Sequence, residues 1–378
     1  MLVKNGIRIN DNGGLTKGYG SALHILCEAN QTPSLLSVAR YLVENGILVN
    51  LRDDKNNTVL HLLCRYNQTE HLLSVIRFFV EAGTDVSTQN DHDQTALHVL
   101  CQYNQSDHLL QVVKYLIEKG IKTRGTAQST SALLLICKYN QTAQLLPVMN
   151  LLVSIEDVNQ VDNEGFMATH LCAQYQKEHF IQSLKVLAAN GADLTATTSY
   201  DETILHLACQ YCDQLNLVLL LPSLGRDLIK KTVGVTDMVG KTALHYAASR
   251  GCFKAVKFLA GFVDIQVLDN SGKCFIDYME HFIVQKSTPL CLCCRGDSSL
   301  DSVEMNSLYQ RILSKSTMRS NLIPCSIVKL VRSIPTQIDY VYVFNTIDKY
   351  SRISTSNDWI NLLQMWRNTA DKQSHLAG

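Results

Sequence analysis

Histidine and cysteine recur three residues apart at His24/Cys27, His61/Cys64, His98/Cys101 and His206/Cys209, a spacing that sets both side chains on one face of a helix. Such a pair can begin a zinc site, but structural zinc needs a full tetrahedral set of converging ligands. No second pair is placed to face these, so they read as repeat anchors filling a core, with cysteine acting as a small apolar side chain. Cys291, Cys293 and Cys294 stand too close together for a CxxC knuckle, and beyond Cys274 and His281 nothing nearby completes a set. They read as loop or tail thiols. Gly234 followed by Gly240-Lys241-Thr242 approaches a phosphate-binding loop, but one residue too many separates the glycines, which misplaces the N–H cradle. Asn30-Gln31-Thr32, Asn67-Gln68-Thr69, Asn104-Gln105-Ser106 and Asn140-Gln141-Thr142 all match the glycosylation sequon. Their regular recurrence points instead to a repeated inter-helix loop, with Asn as a left-handed cap and Thr or Ser opening the next helix. No Ser/His/Asp order, catalytic carboxylate pair or His-Glu-x-x-His is present, so the sequence assigns no catalytic residue, no cofactor and no metal.

The elements that must position these residues repeat with a period of 36–37 residues. His24, His61, His98, His170, His206 and His245 mark the first helix of each unit, and Leu134 holds that place in the one unit without the histidine. A second apolar run at helical spacing follows, for example Leu72 to Val80. A glycine stop comes next, at Gly46, Gly83, Gly120 and Gly191, with Gly225 and Gly261 as further candidates. Extended linkers then carry Asp53-x-x-Asn56, Asn90-x-x-Asp93, Asp162-x-x-Gly165, Asp237-x-x-Gly240 and Asp269-x-x-Gly272, residue types that tolerate a tight turn, two residues before a Thr/Ser position that caps the next helix. Residues 1–10 match Leu42 to Asn50, which places the start of the chain inside the second helix of a unit and predicts sequence before it.

These features resemble the ankyrin repeat, most clearly at Asp237-x-x-Gly240-Lys241-Thr242-Ala243-Leu244-His245-Tyr246-Ala247-Ala248. The proline usual after the capping threonine is replaced here by Ala22, Val59, Ala96, Ala132, Ala168, Ile204 and Ala243. The usual period is about 33 residues, so most units carry an insertion, placed between the helices at Asn67 to Glu70 and its equivalents. The resemblance implies an all-α ankyrin-repeat solenoid of helix-turn-helix units with β-hairpin-like linkers, followed by a small C-terminal segment. Residues 1–10 are then a partial repeat, 11–288 a solenoid of about seven units with a degenerate last one, and 289–378 a partly ordered tail. That tail shows helix-like patterning near 303–314, 325–334 and Trp359 to Trp366, with a short strand at Tyr340 to Phe344.

The chain carries 34 basic and 34 acidic residues, so no net field favours a phosphate backbone and nucleic acid is not expected as a partner. The first thirty residues carry no apolar leader-like run, no run is long enough for membrane insertion, and most of the cysteines fall along a line rather than in pairs. The expectation is a cytoplasmic protein, with the nucleus as an alternative, acting as a monomer. The resemblance implies a non-catalytic protein-binding scaffold or adaptor using the concave face of the stack. An alternative makes it a substrate-recognition adaptor of a ubiquitin ligase, with Ser307-Leu308 and Leu322 to Leu330 as a degenerate SOCS- or F-box-like tail. Candidate binding residues are the ladder Tyr66, Tyr103, Tyr139, Tyr175 and Tyr211 with its polar neighbours Arg65, Gln102, Lys138, Gln174 and Gln210. The competing reading packs each tyrosine under the insertion that follows it.

Overall fold

The computed structural model describes residue 10 and residues 20–124, 131–263, 267–275 and 277–278. These form two compact units, divided between Ser223 and Leu224. In the first, six helix pairs follow one another: α1 (Ala22–Ala29) with α2 (Leu35–Glu44), α3 (Val59–Tyr66) with α4 (Leu72–Glu81), α5 (Ala96–Tyr103) with α6 (Leu109–Glu118), α7 (Ala132–Tyr139) with α8 (Leu145–Leu152), α9 (Ala168–Tyr175) with α10 (Phe180–Ala189), and α11 (Ile204–Tyr211) with α12 (Gln214–Ser223). First helices pack on first helices and second on second, α3 on α5 on α7 and α4 on α6 on α8, which is the layering of an all-α solenoid. The second unit holds α13 (Arg226–Thr232), which the repeat pattern does not foresee, and the pair α14 (Ala243–Ser249) and α15 (Phe253–Leu259). The SOCS-like segment, the thiols at Cys291 to Cys294 and the linker 125–130 lie outside the described residues.

The anchoring histidine is the third residue of its helix, and at His24, His61 and His170 it works at both ends of its ring. At His61 the Thr58 backbone N–H donates to Nδ1 at 3.1 Å and the Thr58 hydroxyl lies 2.9 Å from the same nitrogen. A nitrogen that accepts from a backbone amide carries no proton, so Nε2 holds it and donates to the Gln94 carbonyl of the next unit at 2.9 Å. His24 reaches Asn57 O and His170 reaches Ala196 O in the same way, each at 3.1 Å. One side chain therefore closes its own helix start and ties it to the following linker. The capping threonine thus acts largely through histidine rather than alone. At His170 the cap position is Met167, which supplies only its backbone N–H, a departure from the expected Thr or Ser. Burial holds His24, His61, His170 and His245 below the ordinary imidazole value and His98 at about 4, consistent with neutral rings.

The linker turns need positive φ at their fourth residue, and Asn56 (58°), Asp93 (56°), Asp201 (60°), Gly165 (74°), Gly240 (76°) and Gly272 (71°) all adopt it. Glycine is obligatory at two of them for a second reason. A Cβ on Gly165 would sit 2.7 Å from Ser199 N, and one on Gly240 2.8 Å from Asn270 N, because neighbouring fingers are tied there by Ser199 N–H to Glu164 O and Asn270 N–H to Val239 O. The linkers are hairpin-like, with isolated antiparallel bridges at Val161/Met167 and Thr197/Thr203. The helix stops at Gly46, Gly83, Gly120 and Gly191 are left-handed as expected. Gly225 is left-handed too, but it also opens α13, and Gly261 is not left-handed.

The expected left-handed asparagine caps are not formed. Asn30, Asn67, Asn104 and Asn140 close their helices in extended conformation, φ between −106° and −81°. The reason is that the side chain is used elsewhere. Asn67 Oδ1 accepts from Thr69 N–H and hydroxyl, folding the insertion into a tight turn. Its counterpart Asn104 repeats this with Ser106 and sends its amide nitrogen back to Asn67 O at 3.0 Å. Asn140 donates to Asn104 O and Gln176 to Asn140 O, so the buried amides form a continuous column through the insertions. Beside it the glutamines clasp the next unit from outside. Gln105 accepts nothing from its own turn but takes Gln141 N–H on Oε1 and donates to Tyr139 O, just as Gln68 does to Gln105 N–H and Tyr103 O. The insertion is therefore a stacking device. Asn10 reproduces a third such pairing, bonding Gly46 O and Leu48 N–H as Asn50 bonds Gly83 O and Asp85 N–H.

Candidate functional site

The ten candidate residues occupy the last two positions of α3, α5, α7, α9 and α11, and because those helices pack in sequence the positions fall into two parallel rows. The packing alternative expects buried tyrosines. Instead Tyr103, Tyr139, Tyr175 and Tyr211 are 36–38% exposed, and the insertion is held through the backbone carbonyls of Tyr103, Tyr139 and Tyr175 rather than through their rings. Cations fill the spaces between rings. Arg65 lies over Tyr66 at 5.4 Å and over Tyr103 of the next unit at 4.5 Å. Lys138 lies 5.6 Å from both Tyr139 and Tyr175. Gln102 stands between the two cations and accepts from Gln94 Nε2 at 2.9 Å. At the α1 end the rows open with Glu28 and Ala29, without an aromatic ring. Each cation–ring contact of this kind stabilises by about 0.5–1 kcal/mol at an exposed site.

The histidines and cysteines that opened the sequence reading are committed elsewhere. The imidazole Nδ1 atoms of His24, His61, His98 and His206 hold helix starts, the Nε2 atoms of His24 and His61 reach linker carbonyls, and Cys27, Cys64, Cys101 and Cys137 are fully buried, burial pushing each thiol well above its ordinary value. Among the described residues no three His, Cys, Asp or Glu side chains converge as metal ligands, and no helix is long and apolar enough to cross a membrane.

Sequence reasoning missed Glu156. In the unit whose anchor is Leu134, Ser131 Oγ accepts the Leu134 N–H at 3.3 Å and Glu156 Oε2 accepts the Leu133 N–H at 3.2 Å. A carboxylate from the following linker thus serves the helix start that lacks its histidine. Its other oxygen has no hydrogen-bond partner among the described residues. Burial pushes this carboxyl up to about 7, against the lowering effects of the Leu133 N–H, the Ser131 and Thr123 hydroxyls and Arg124. The available signal was positional, since Ile47, Thr84, Ile121 and Ala192 stand where Glu156 does and none is charged.

Both helices and the stop of the α5 unit lie within residues 92–123, where a family model of the ankyrin repeat matches; it matches again at 239–270, across α14 and α15. The chain carries ankyrin repeats. No curated protein matches it. Ankyrin repeats are generally protein–protein interaction modules. The two family matches fall on an insertion-bearing unit and on the α14/α15 unit, where the ladder position five residues past His245 is Arg250 in place of a tyrosine. The repeated tyrosine row belongs to the lengthened units.

Proposed function

We propose that this ankyrin-repeat protein acts by binding another protein, without catalysis, on the tyrosine ladder at the ends of α3, α5, α7, α9 and α11. One observation carries the reading: four tyrosines in register stay more than a third exposed although the stack beneath them is closed by other means. Tyrosine offers a large rigid area with a polar end, which suits it to the centre of an interface. Free thiols at Cys27, Cys64, Cys101, Cys137 and Cys172 support a reducing compartment, the cytoplasm. Affinity capture with the parent chain, with Tyr103→Ala/Tyr139→Ala and with the control Lys114→Ala on α6 tests the site. Partners retained by the control and lost from the ladder variant, with both folded by circular dichroism, are the expected outcome. Equal retention by all three removes the ladder as the binding face.

A further inference from the structure

The ladder's charge is unmatched. Among the described residues the single close acid–base contact is His71 with Glu70, so neither Arg65 nor Lys138 is paired with a carboxylate, that of Glu28 before Arg65 in the row included. Nor does either cation, or any hydroxyl of Tyr66, Tyr103, Tyr139 or Tyr175, make a hydrogen bond among the described residues. A ring face attracts a guanidinium or ammonium but leaves its N–H donors without acceptors. Both cations are thus held in place beforehand with their hydrogen-bonding capacity unspent, and charge-assisted bonds to an anion are the strong kind. The order along the rows is cation, neutral amide, cation: Arg65, Gln102, Lys138.

We infer that the ladder takes an extended acidic segment of a partner protein, with one carboxylate seated at Arg65 and a second at Lys138. Resting as it does on the binding face proposed above, the inference adds the partner's chemistry and its spacing. Arg65 and Lys138 sit on α3 and α7, with α5 packed between them. Neighbouring helices pack about 8–10 Å apart, so the two cations stand roughly 16–20 Å apart. An extended chain advances about 3.3–3.6 Å per residue, which puts the two acidic side chains about five or six positions apart. Gln102 and the tyrosine hydroxyls then face the backbone between them. A single-stranded nucleic acid fits less well. Stacking a base between rings needs an open slot, whereas Arg65 already fills the space from Tyr66 to Tyr103 and Lys138 that from Tyr139 to Tyr175.

Fluorescence anisotropy on the intact chain decides the matter. The probes are labelled serine–glycine peptides carrying two glutamates about six positions apart, the same peptide with adjacent glutamates, one with two lysines at the wide spacing, and a labelled oligothymidine. The widely spaced glutamate peptide should bind about tenfold more tightly than the adjacent one. Arg65→Gln/Lys138→Gln should abolish that preference with the chain still folded by circular dichroism, the melting temperature falling by no more than the loss of four exposed cation–ring contacts accounts for. Equal binding of the spaced and adjacent peptides, a preference that survives the double variant, or tighter binding of oligothymidine overturns the inference. A protein partner lost from Tyr103→Ala/Tyr139→Ala but indifferent to Arg65→Gln/Lys138→Gln would leave the binding face standing and remove the acidic segment alone.

Discussion

The α3 and α7 units solve the same problem with different chemistry. In the α3 unit one histidine accepts the Thr58 N–H and donates to Gln94 O, so helix start and next linker are joined by a single neutral ring. In the α7 unit Leu134 can do neither, and two acceptors, Ser131 Oγ and Glu156, divide the helix start between them. The difference teaches that what histidine adds at His24, His61 and His170 is its two-ended hydrogen bonding. The apolar part of its job is done equally well by leucine, which is as buried at 134 as the imidazole is at 61.

Four measurements would break or sharpen this contrast. His61→Leu leaves the buried Thr58 N–H and hydroxyl and Gln94 O without partners, at about 1–3 kcal/mol each less what water recovers, so a loss of about 4 kcal/mol in urea denaturation is expected. A loss below about 1 kcal/mol would mean the leucine solution is as good everywhere. Glu156 bears on the other side. Its carboxyl is raised in the folded state from 4.5 to about 7, so the folded chain binds the extra proton between those values. Its stabilising contribution is full below about pH 4.5 and is lost as pH rises through about 7, a swing of about 3 kcal/mol at 1.36 kcal/mol per pH unit. Glu156→Gln should flatten that part of the stability curve, and an unchanged curve would mean the carboxylate is solvated.

His98 provides the intermediate case, for its Nε2 has no hydrogen-bond partner among the described residues. His98→Leu should therefore cost only about 2 kcal/mol at neutral pH, less than His61→Leu. Its lowered value works with the opposite sign to Glu156: stability is full above about 6.5 and is lost as pH falls through about 4, and His98→Leu should remove part of that acid limb. The smallest effect belongs to Tyr103→Ala. With its ring 38% exposed and its clearest partner Arg65 at 4.5 Å, the expected loss is about 1 kcal/mol. A loss near 4 kcal/mol would show that the ring packs as a core residue and would return the ladder to a structural role.

What the sequence made legible was whatever lies within one unit. The histidine at the helix start, the turns at Asn56, Asp93, Gly165, Gly240 and Gly272, and the left-handed stops at Gly46, Gly83, Gly120 and Gly191 are local consequences of residue type. The tyrosines and their polar neighbours could be aligned from period alone, though nothing in a period says whether a ring is covered. The illegible features are those whose partner is a whole unit away. Asn104 reads as a good helix cap until Asn67 O is brought beside it, thirty-seven residues back in the chain. Gln68 is an ordinary loop residue until Tyr103 O arrives. Glu156 escaped because its role exists only where Leu134 replaces histidine, and α13 because seven residues with Ile229 and Thr232 as their buried members present no periodic face.

The amide column also bears on how such a chain can change in length over generations. Asn104 and Asn140 each take from the rung below the same carbonyl they offer to the rung above, so these rungs fit one another. Duplicating or deleting one whole unit would leave the column intact, with no compensating substitution on either side of the junction. Gln176 still fits the series, reaching both Cys137 O and Asn140 O, but Cys212 continues it only with a thiol bonded to Ala173 O at 3.5 Å. Copy number is therefore free to drift among the units from α3 to α9, while the position beyond Cys212 is a seam where a new unit would no longer be interchangeable with its neighbours.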